Sequence, residues 1–148
     1  MKRIFRFVLL VVSAVALMSC EKEDSALTYL IGQWDYDNVH ISFNGKTYIT
    51  QRDFFLVDDK PVPCPSVVTF NRGGGLVVDG LRGTFSWKRN GTSIEGTLDY
   101  NGMSQPFNMP YGILFLEEVR TNASSVTVNG SKATGSGDVK ITYWLYKH

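Results

Sequence analysis

The sequence has very few of the residues that most catalytic and metal sites use. Only two of its 148 residues are histidine, His40 and His148, and only two are cysteine, Cys20 and Cys64. A metal site built from several histidines, or a serine–histidine–aspartate triad, is therefore poorly supported. We expect a protein that is not an enzyme, with no catalytic residues, no bound metal and no cofactor.

An excess of charge of one sign is also lacking. The chain has 15 lysines and arginines against 14 aspartates and glutamates, and three of the cations precede residue 20. Removal of residues 1–19 would leave 12 basic against 14 acidic residues, which gives no general attraction to nucleic acid. We therefore predict no nucleic-acid partner. With 43% hydrophobic residues, the chain has the length and composition of one folded domain, and intrinsic disorder is excluded.

The long hydrophobic run of the sequence is confined to its first residues. Phe7–Leu17 is apolar except for Ser13, and it follows the cations Lys2, Arg3 and Arg6. As a helix this run would span about 16 Å, well short of the ~30 Å hydrocarbon core of a bilayer. We therefore predict that residues 1–19 are a secretion signal and not a membrane-spanning helix.

The end of this segment reads Leu17-Met18-Ser19-Cys20, which resembles the lipobox of bacterial lipoproteins. In that family the leader is cut before the cysteine, whose thiol then carries fatty acyl chains such as palmitate. The resemblance implies that Cys20 is a lipid anchor at the outer membrane, and that Cys64 has no disulfide partner. The alternative is ordinary signal cleavage near Ser19, which leaves Cys20 as a thiol.

Residues 20–29 are interpreted as the anchor cysteine and an acidic tether. Glu21-Lys22-Glu23-Asp24 is similar to the tag that sends lipoproteins of some Gram-negative phyla to the outer face of the outer membrane. A charged, solvated tether explains the same residues equally well. The choice between the periplasmic face and the cell surface therefore stays open.

From residue 30 onward the sequence contains repeated turn signals of the kind found in β-hairpins. Asn-Gly occurs at 44–45, 90–91, 101–102 and 129–130, and Asp-Gly occurs at 79–80. These pairs tolerate the positive φ angles that two-residue turns require. Apolar and polar residues alternate in two segments, 81–88 and 93–100, which lie on either side of the 90–91 turn. This alternation predicts a hairpin with one face in the core. On this pattern Phe85, Trp87, Ile94, Leu98 and Tyr100 face inward.

The remaining strands are placed by weaker alternation. They are predicted at Gln33–Phe43, Lys46–Val57 with an interruption near Arg52-Asp53, Ser66–Phe70, Leu76–Asp79, Met103–Asn108, Ile113–Arg120, Ser124–Asn129 and Asp138–Tyr146. A parity shift in the first strand indicates a bulge at Asp37–Asn38. Lys60–Pro65 and Lys132–Gly137 are predicted to be loops. About eight to ten antiparallel strands joined by short turns predict an all-β, up-and-down β-barrel, with a β-sandwich as the alternative.

The segment Leu30-Ile31-Gly32-Gln33-Trp34 is similar to the opening strand of lipocalins. Together with the leader and the hairpins, it makes residues 30–148 resemble the lipocalin-like domains of small bacterial lipoproteins. The resemblance implies a barrel in which Gly32 lets the chain turn under the floor and Trp34 plugs the closed end. The Thr-Asp-Tyr motif of typical lipocalins is absent, and Lys147, not an arginine, is the cation after the last strand.

The function that we predict is the binding of a small apolar ligand. An eight-stranded barrel either is filled by its own side chains or holds one small molecule. The candidate ligand-binding residues are Phe85, Trp87, Tyr100, Phe107 and Tyr111. Met103–Tyr111 is interpreted as an adaptable apolar lip or as a loop folded onto the barrel. The alternative function is a non-catalytic surface module with a filled core that contacts a protein partner through its loops.

Overall fold

The computed structural model describes residues 25–51, 54–110 and 112–148. The chain divides into two compact units, residues 1–30 and 31–148. In the first unit, the described residues form one short helix, α1 (Ser25–Leu30). The predicted leader, Cys20 and Tyr111 lie outside the described residues. No helix in the described part of the chain is long and apolar enough to cross a membrane.

The second unit is built from strands. They are β1 (Gly32–Phe43), β2 (Lys46–Thr50), β3 (Phe55–Val57), β4 (Lys60–Pro61), β5 (Val67–Phe70), β6 (Gly75–Val78), β7 (Leu81–Asn90), β8 (Ser93–Tyr100), β9 (Met103–Met109), β10 (Leu114–Val128) and β11 (Ser131–Lys147). All of them belong to one antiparallel sheet and not to the two sheets of the alternative sandwich. The predicted all-β class is confirmed.

Eight of these strands form a closed ring. From β5 to β11 each strand pairs with the next one along the chain, and β1 pairs with both β5 and β11. This arrangement confirms the predicted up-and-down antiparallel order. Closure pairs the first and last strands with each other, so that neither is left as an open sheet edge.

Two ring strands, β1 and β10, extend beyond the ring and pair there with strands that lie outside it. The end of β1 pairs with β2, the end of β10 pairs with β3, and β3 pairs with the two-residue strand β4. The interruption predicted after Arg120 and the loop predicted at Lys132–Gly137 are therefore wrong, because β10 and β11 run on continuously. Bulges absorb the irregular residues, and Asn122 adopts a φ of +54° there. The predicted bulge between Tyr36 and Asn38 is confirmed.

The Asn-Gly and Asp-Gly pairs form the predicted turns with one exception. At positions 44–45, 79–80, 101–102 and 129–130 both residues have positive φ and the flanking residues pair across the strands. This is the geometry of a two-residue turn that follows the twist of a hairpin. At the remaining site Asn90 pairs with Ser93, so the loop residues are Gly91 and Thr92.

One end of the ring is occupied by a fully buried tryptophan. Trp34 has no exposed surface, and Lys147 places its Nζ atom 5.8 Å from the centre of the indole ring. The same Nζ donates a hydrogen bond of 2.5 Å to the carbonyl oxygen of Ile31. Gly32 has a φ of +125°, which side chains rarely allow. We call this the Trp34 end; the turns at 79–80 and 101–102 lie at the opposite, far end of the ring.

The middle of the ring is filled by side chains. The ring of Phe70 lies 4.9 Å from that of Phe85 and 5.6 Å from that of Phe107. Leu98 and Ile94 are completely buried beside them, as the alternation predicted. The inner space of the ring is therefore occupied by a packed aromatic and aliphatic core.

The prediction that Trp87 faces the interior is wrong, because 38% of its surface is exposed. Strand β6 pairs with residues 81–84 of β7, and the N–H of Phe85 bonds to the carbonyl of Gly74. Beyond Phe85, β7 pairs only with β8. The β7–β8 hairpin therefore extends past the end of β6. Trp87 is on the same side of β7 as Phe85, but it lies in this extension, where the side chain is only partly covered.

Close strand packing leads to a test at Gly96. A Cβ atom added there would lie 2.0 Å from the carbonyl oxygen of Ser86 and 2.9 Å from a ring carbon of Phe107. We expect Gly96→Ala to lower the free energy of unfolding by about 1–3 kcal/mol in urea titrations, since the strands must move apart. Gly75→Ala is the control, because its Cβ would meet only Asn71 at 3.5 Å. Equal losses for the two variants would contradict the packing described here.

Candidate functional site

A cleft opens between two ring strands toward the far end. Strands β9 and β10 pair only at positions 107–108 and 115–116. Toward the far end, the residue of β9 that precedes this pairing is Pro106, which has no N–H to donate to a neighbouring strand. On its other side β9 stays paired with β8 as far as Met103, and β10 stays paired with β11 through Arg120 and beyond. The two strands therefore part, which leaves what we call the β9–β10 cleft.

The β9–β10 cleft has a volume of about 360 Å³ and two kinds of lining. Its apolar wall is formed by Pro63, Pro65, Met103, Pro106 and Val119. Its polar side includes Tyr100, Gln105, Glu118 and Arg120. A concave site with an apolar wall and a few converging polar groups is the common form of a small-molecule site.

The proline segment of the cleft wall is held by carboxylates at both of its ends. Asp79 accepts hydrogen bonds of 2.6–3.0 Å from the N–H and hydroxyl of Ser66 and from the N–H of Val67. On the other side, Asp58 accepts bonds of 2.7 and 3.1 Å from the N–H groups of Ser124 and Ser125. These contacts fix the chain before and after Pro63 and Pro65.

A partly buried polar cluster forms one side of the cleft. The hydroxyl of Tyr143, which is completely buried, donates a 2.8 Å hydrogen bond to Glu118. The second oxygen of Glu118 lies 2.5 Å from the guanidinium of Arg120. Burial, together with the neighbouring Cys64 and Glu118, raises the pKa of Tyr143. The phenol therefore stays protonated and acts as a donor to Glu118.

A second tyrosine extends the cluster to the cleft wall. The hydroxyl of Tyr100 donates a 2.8 Å hydrogen bond to the side-chain oxygen of Gln105. Burial is the main cause that raises the pKa of Tyr100 to about 12, and the charge of Glu118 adds to it. Tyr100 is thus also a protonated donor at neutral pH. The hydroxyl of Tyr143 thus fixes the carboxylate of Glu118, and the hydroxyl of Tyr100 fixes the amide of Gln105. Polar groups held in place in this way are suited to binding a ligand.

The structure separates the residues that the sequence suggested for a ligand site. Tyr100 lines the cleft, whereas Phe85 and Phe107 fill the core with 8% and 2% of their surfaces exposed. Trp87 lies outside the cleft, and Tyr111 is not among the described residues. The strand predicted at Met103–Asn108 is confirmed as β9 (Met103–Met109), so the interpretation of Met103–Tyr111 as a loop is wrong. Of its two methionines, Met103 reaches the cleft and Met109 is buried.

Sequence reasoning missed the charged part of the site. Glu118 has the same parity as Leu114 and Leu116, both completely buried. A carboxylate on the inward parity of a strand is an available signal for a polar site, since buried charge needs partners. Gln105 gave no comparable signal, because its burial depends on where β9 and β10 part. Within residues 25–51, 54–110 and 112–148, no group of three or more histidine, cysteine or acidic side chains is placed to hold a metal ion.

Comparison with known protein families, with curated proteins and with solved structures finds no match for this chain. Function must therefore be inferred from the site itself. Its useful features are the apolar wall, the hydrogen-bonded polar cluster and the position at the far end of the ring, away from Trp34.

Proposed function

We propose that this protein is a lipid-anchored lipoprotein of the outer membrane, with a lipocalin-like ring, that binds one small and largely apolar molecule. The observation that carries the binding part is the β9–β10 cleft, with its volume of about 360 Å³. This volume falls within the range of about 300–1,000 Å³ that is usual for small-molecule sites.

The packing of the ring supports the cleft as the place of binding. Phe70, Phe85 and Phe107 contact one another in the middle of the ring, so a ligand there would have to displace core side chains. In the cleft, by contrast, a ligand would meet the proline wall and Val119, which is 55% exposed. Covering such apolar surface is favourable by about 25 cal/mol per Å².

The anchoring part of the proposal rests on the sequence Leu17-Met18-Ser19-Cys20 and its likeness to a lipobox. Acyl chains on Cys20 would make the membrane the partner of the N-terminus. Several chains on one residue hold a protein much more firmly than the single chain that gives reversible binding. The membrane face, periplasmic or cell-surface, is left open by the tether residues.

The test of the binding proposal is native mass spectrometry without detergent. The protein is a form that begins at Glu21, which contains the whole compact unit of residues 31–148. We expect an adduct of a few hundred daltons, and we expect Val119→Arg to abolish it by filling the cleft with a long charged side chain. The matched control is Leu81→Arg, since Leu81 is similarly exposed at 48% and lies outside the cleft.

A filled core also favours the alternative function of a surface module that contacts a protein partner. Outside the ring, Ile49 of β2 and Phe54, which precedes β3, are each 60% exposed and line the same surface pocket. Exposed apolar side chains that lie together are a feature of contact sites. A clean mass with no adduct, unchanged by Val119→Arg, would contradict small-molecule binding and favour this alternative.

A further inference from the structure

A buried side chain in the cleft offers hydrogen-bond donors that the protein does not use. Gln105 is only 6% exposed and lines the cleft. Its oxygen accepts the hydrogen bond from Tyr100, and its amide N–H groups have no hydrogen bond to any residue that the structure describes. The amide nitrogen is not among the fully buried side-chain atoms, so it faces the open part of the cleft. A molecule bound in the cleft can therefore receive its hydrogen bonds in place of solvent.

The charges around the cleft decide what kind of acceptor it is. The cation Arg120 is already paired with Glu118, which also accepts the hydrogen bond from Tyr143. Glu117 brings a second carboxylate to the lining, with Lys140 at 3.5 Å as its partner. The residues that line the cleft thus include two carboxylates and one guanidinium, so an anionic ligand would meet an excess of negative charge. Like charges brought together are unfavourable, so an uncharged acceptor fits better.

We infer that the ligand of the β9–β10 cleft carries an uncharged carbonyl group that accepts hydrogen bonds from the amide of Gln105. Its apolar part lies against the wall formed by Pro63, Met103 and Val119. This inference rests on the proposed function of the cleft and adds the chemical class of the ligand: an apolar ketone, ester or amide, and not a fatty acid.

Two probes of equal chain length, 2-nonanone and nonanoate, test the inference at pH 7. Each is titrated into the form that begins at Glu21, and NMR follows the Met103 methyl group and the Gln105 side-chain amide. We expect 2-nonanone to bind about tenfold more tightly than nonanoate. The ketone accepts a hydrogen bond from Gln105 without bringing a charge, whereas the carboxylate of nonanoate is repelled by the glutamates of the cleft. The Gln105 amide resonances should shift and saturate together with the Met103 methyl resonance.

The matched variants are Gln105→Glu and Gln51→Glu. A glutamate at 105 still accepts the hydrogen bond from Tyr100 but has no N–H to donate, so we expect it to weaken 2-nonanone binding about tenfold. Gln51 is exposed and lies outside the cleft, so the same change there should leave binding unaltered. The two probes are compared on the protein without substitutions, so that comparison does not depend on whether either variant folds.

The outcomes separate the inference from the function on which it rests. Nonanoate binding as tightly as 2-nonanone, or tight ketone binding that leaves the Gln105 amide unmoved, would overturn the inference and keep the cleft as a binding site. Unchanged ketone binding by Gln105→Glu would also overturn it. If neither probe shifts the Met103 methyl and no adduct is seen by mass spectrometry, small-molecule binding itself is contradicted.

Discussion

Trp34→Ala is expected to lower the free energy of unfolding by about 3–5 kcal/mol. Trp34 has no exposed surface, and its strand pairs with both β5 and β11 at this position. Removal of the indole leaves a cavity that paired strands on both sides cannot easily close. It also removes the ring over which Lys147 lies. Urea or thermal unfolding followed by circular dichroism gives the measurement.

Trp87→Ala is the matched control for this prediction. It removes the same indole from the same sheet, but from a position where 38% of the side chain is exposed and only one neighbouring strand is paired. We expect a loss well below that of Trp34→Ala, because less apolar surface leaves contact with the protein. Similar losses from the two variants would mean that Trp34 does not close the end of the ring.

Cys20→Ala is expected to abolish retention at the membrane. On the proposal above, the acyl chains on Cys20 are the anchor. The folded unit of residues 31–148 has a balanced set of surface charges and no strong attraction of its own to anionic lipid. Separation of membranes from soluble material after cell disruption, followed by immunoblotting, measures the distribution. The fraction in the membrane pellet should fall from nearly all of the protein to nearly none.

Cys64→Ala is the control for the anchor, since it removes the other cysteine and leaves the lipobox-like segment intact. We expect this variant to sediment with membranes as the unchanged protein does. A Cys20→Ala variant that still sediments, resists salt washing and is released by detergent would refute the anchor. Metabolic labelling with a fatty acid analogue should mark the unchanged protein and Cys64→Ala, and not Cys20→Ala.

Much of the fold was predictable from short stretches of sequence. Four of the five Asn-Gly and Asp-Gly pairs form the expected turns, because positive φ at two successive residues is a property of those residues themselves. The bulge between Tyr36 and Asn38 was visible as a shift in the apolar parity of a single strand. The alternation in β8 placed Ile94, Leu98 and Tyr100 on one buried face, as observed.

The errors arise where a residue's surroundings come from distant parts of the chain. Trp87 has the parity of a core residue, but its exposure is set by β6, which ends its pairing at residues 81–84. Small and polar residues in β10 and β11 looked like breaks, yet the two strands stay paired across them, with bulges at the irregular residues. Alternation within one strand says which face a side chain takes and does not say what lies over that face.

The all-β class, four of the five hairpin turns and the antiparallel order can be read from the amino-acid sequence alone, and the predicted leader and anchor at Cys20 rest on it too. The closed ring, its filled centre and the separation of β9 from β10 become evident only when the strands are placed in three dimensions. Turns and alternation depend on neighbours within a few residues. Ring closure pairs β1 with β11, and the cleft is lined by Gln105, Glu118 and the proline segment, so both depend on residues from separate parts of the chain.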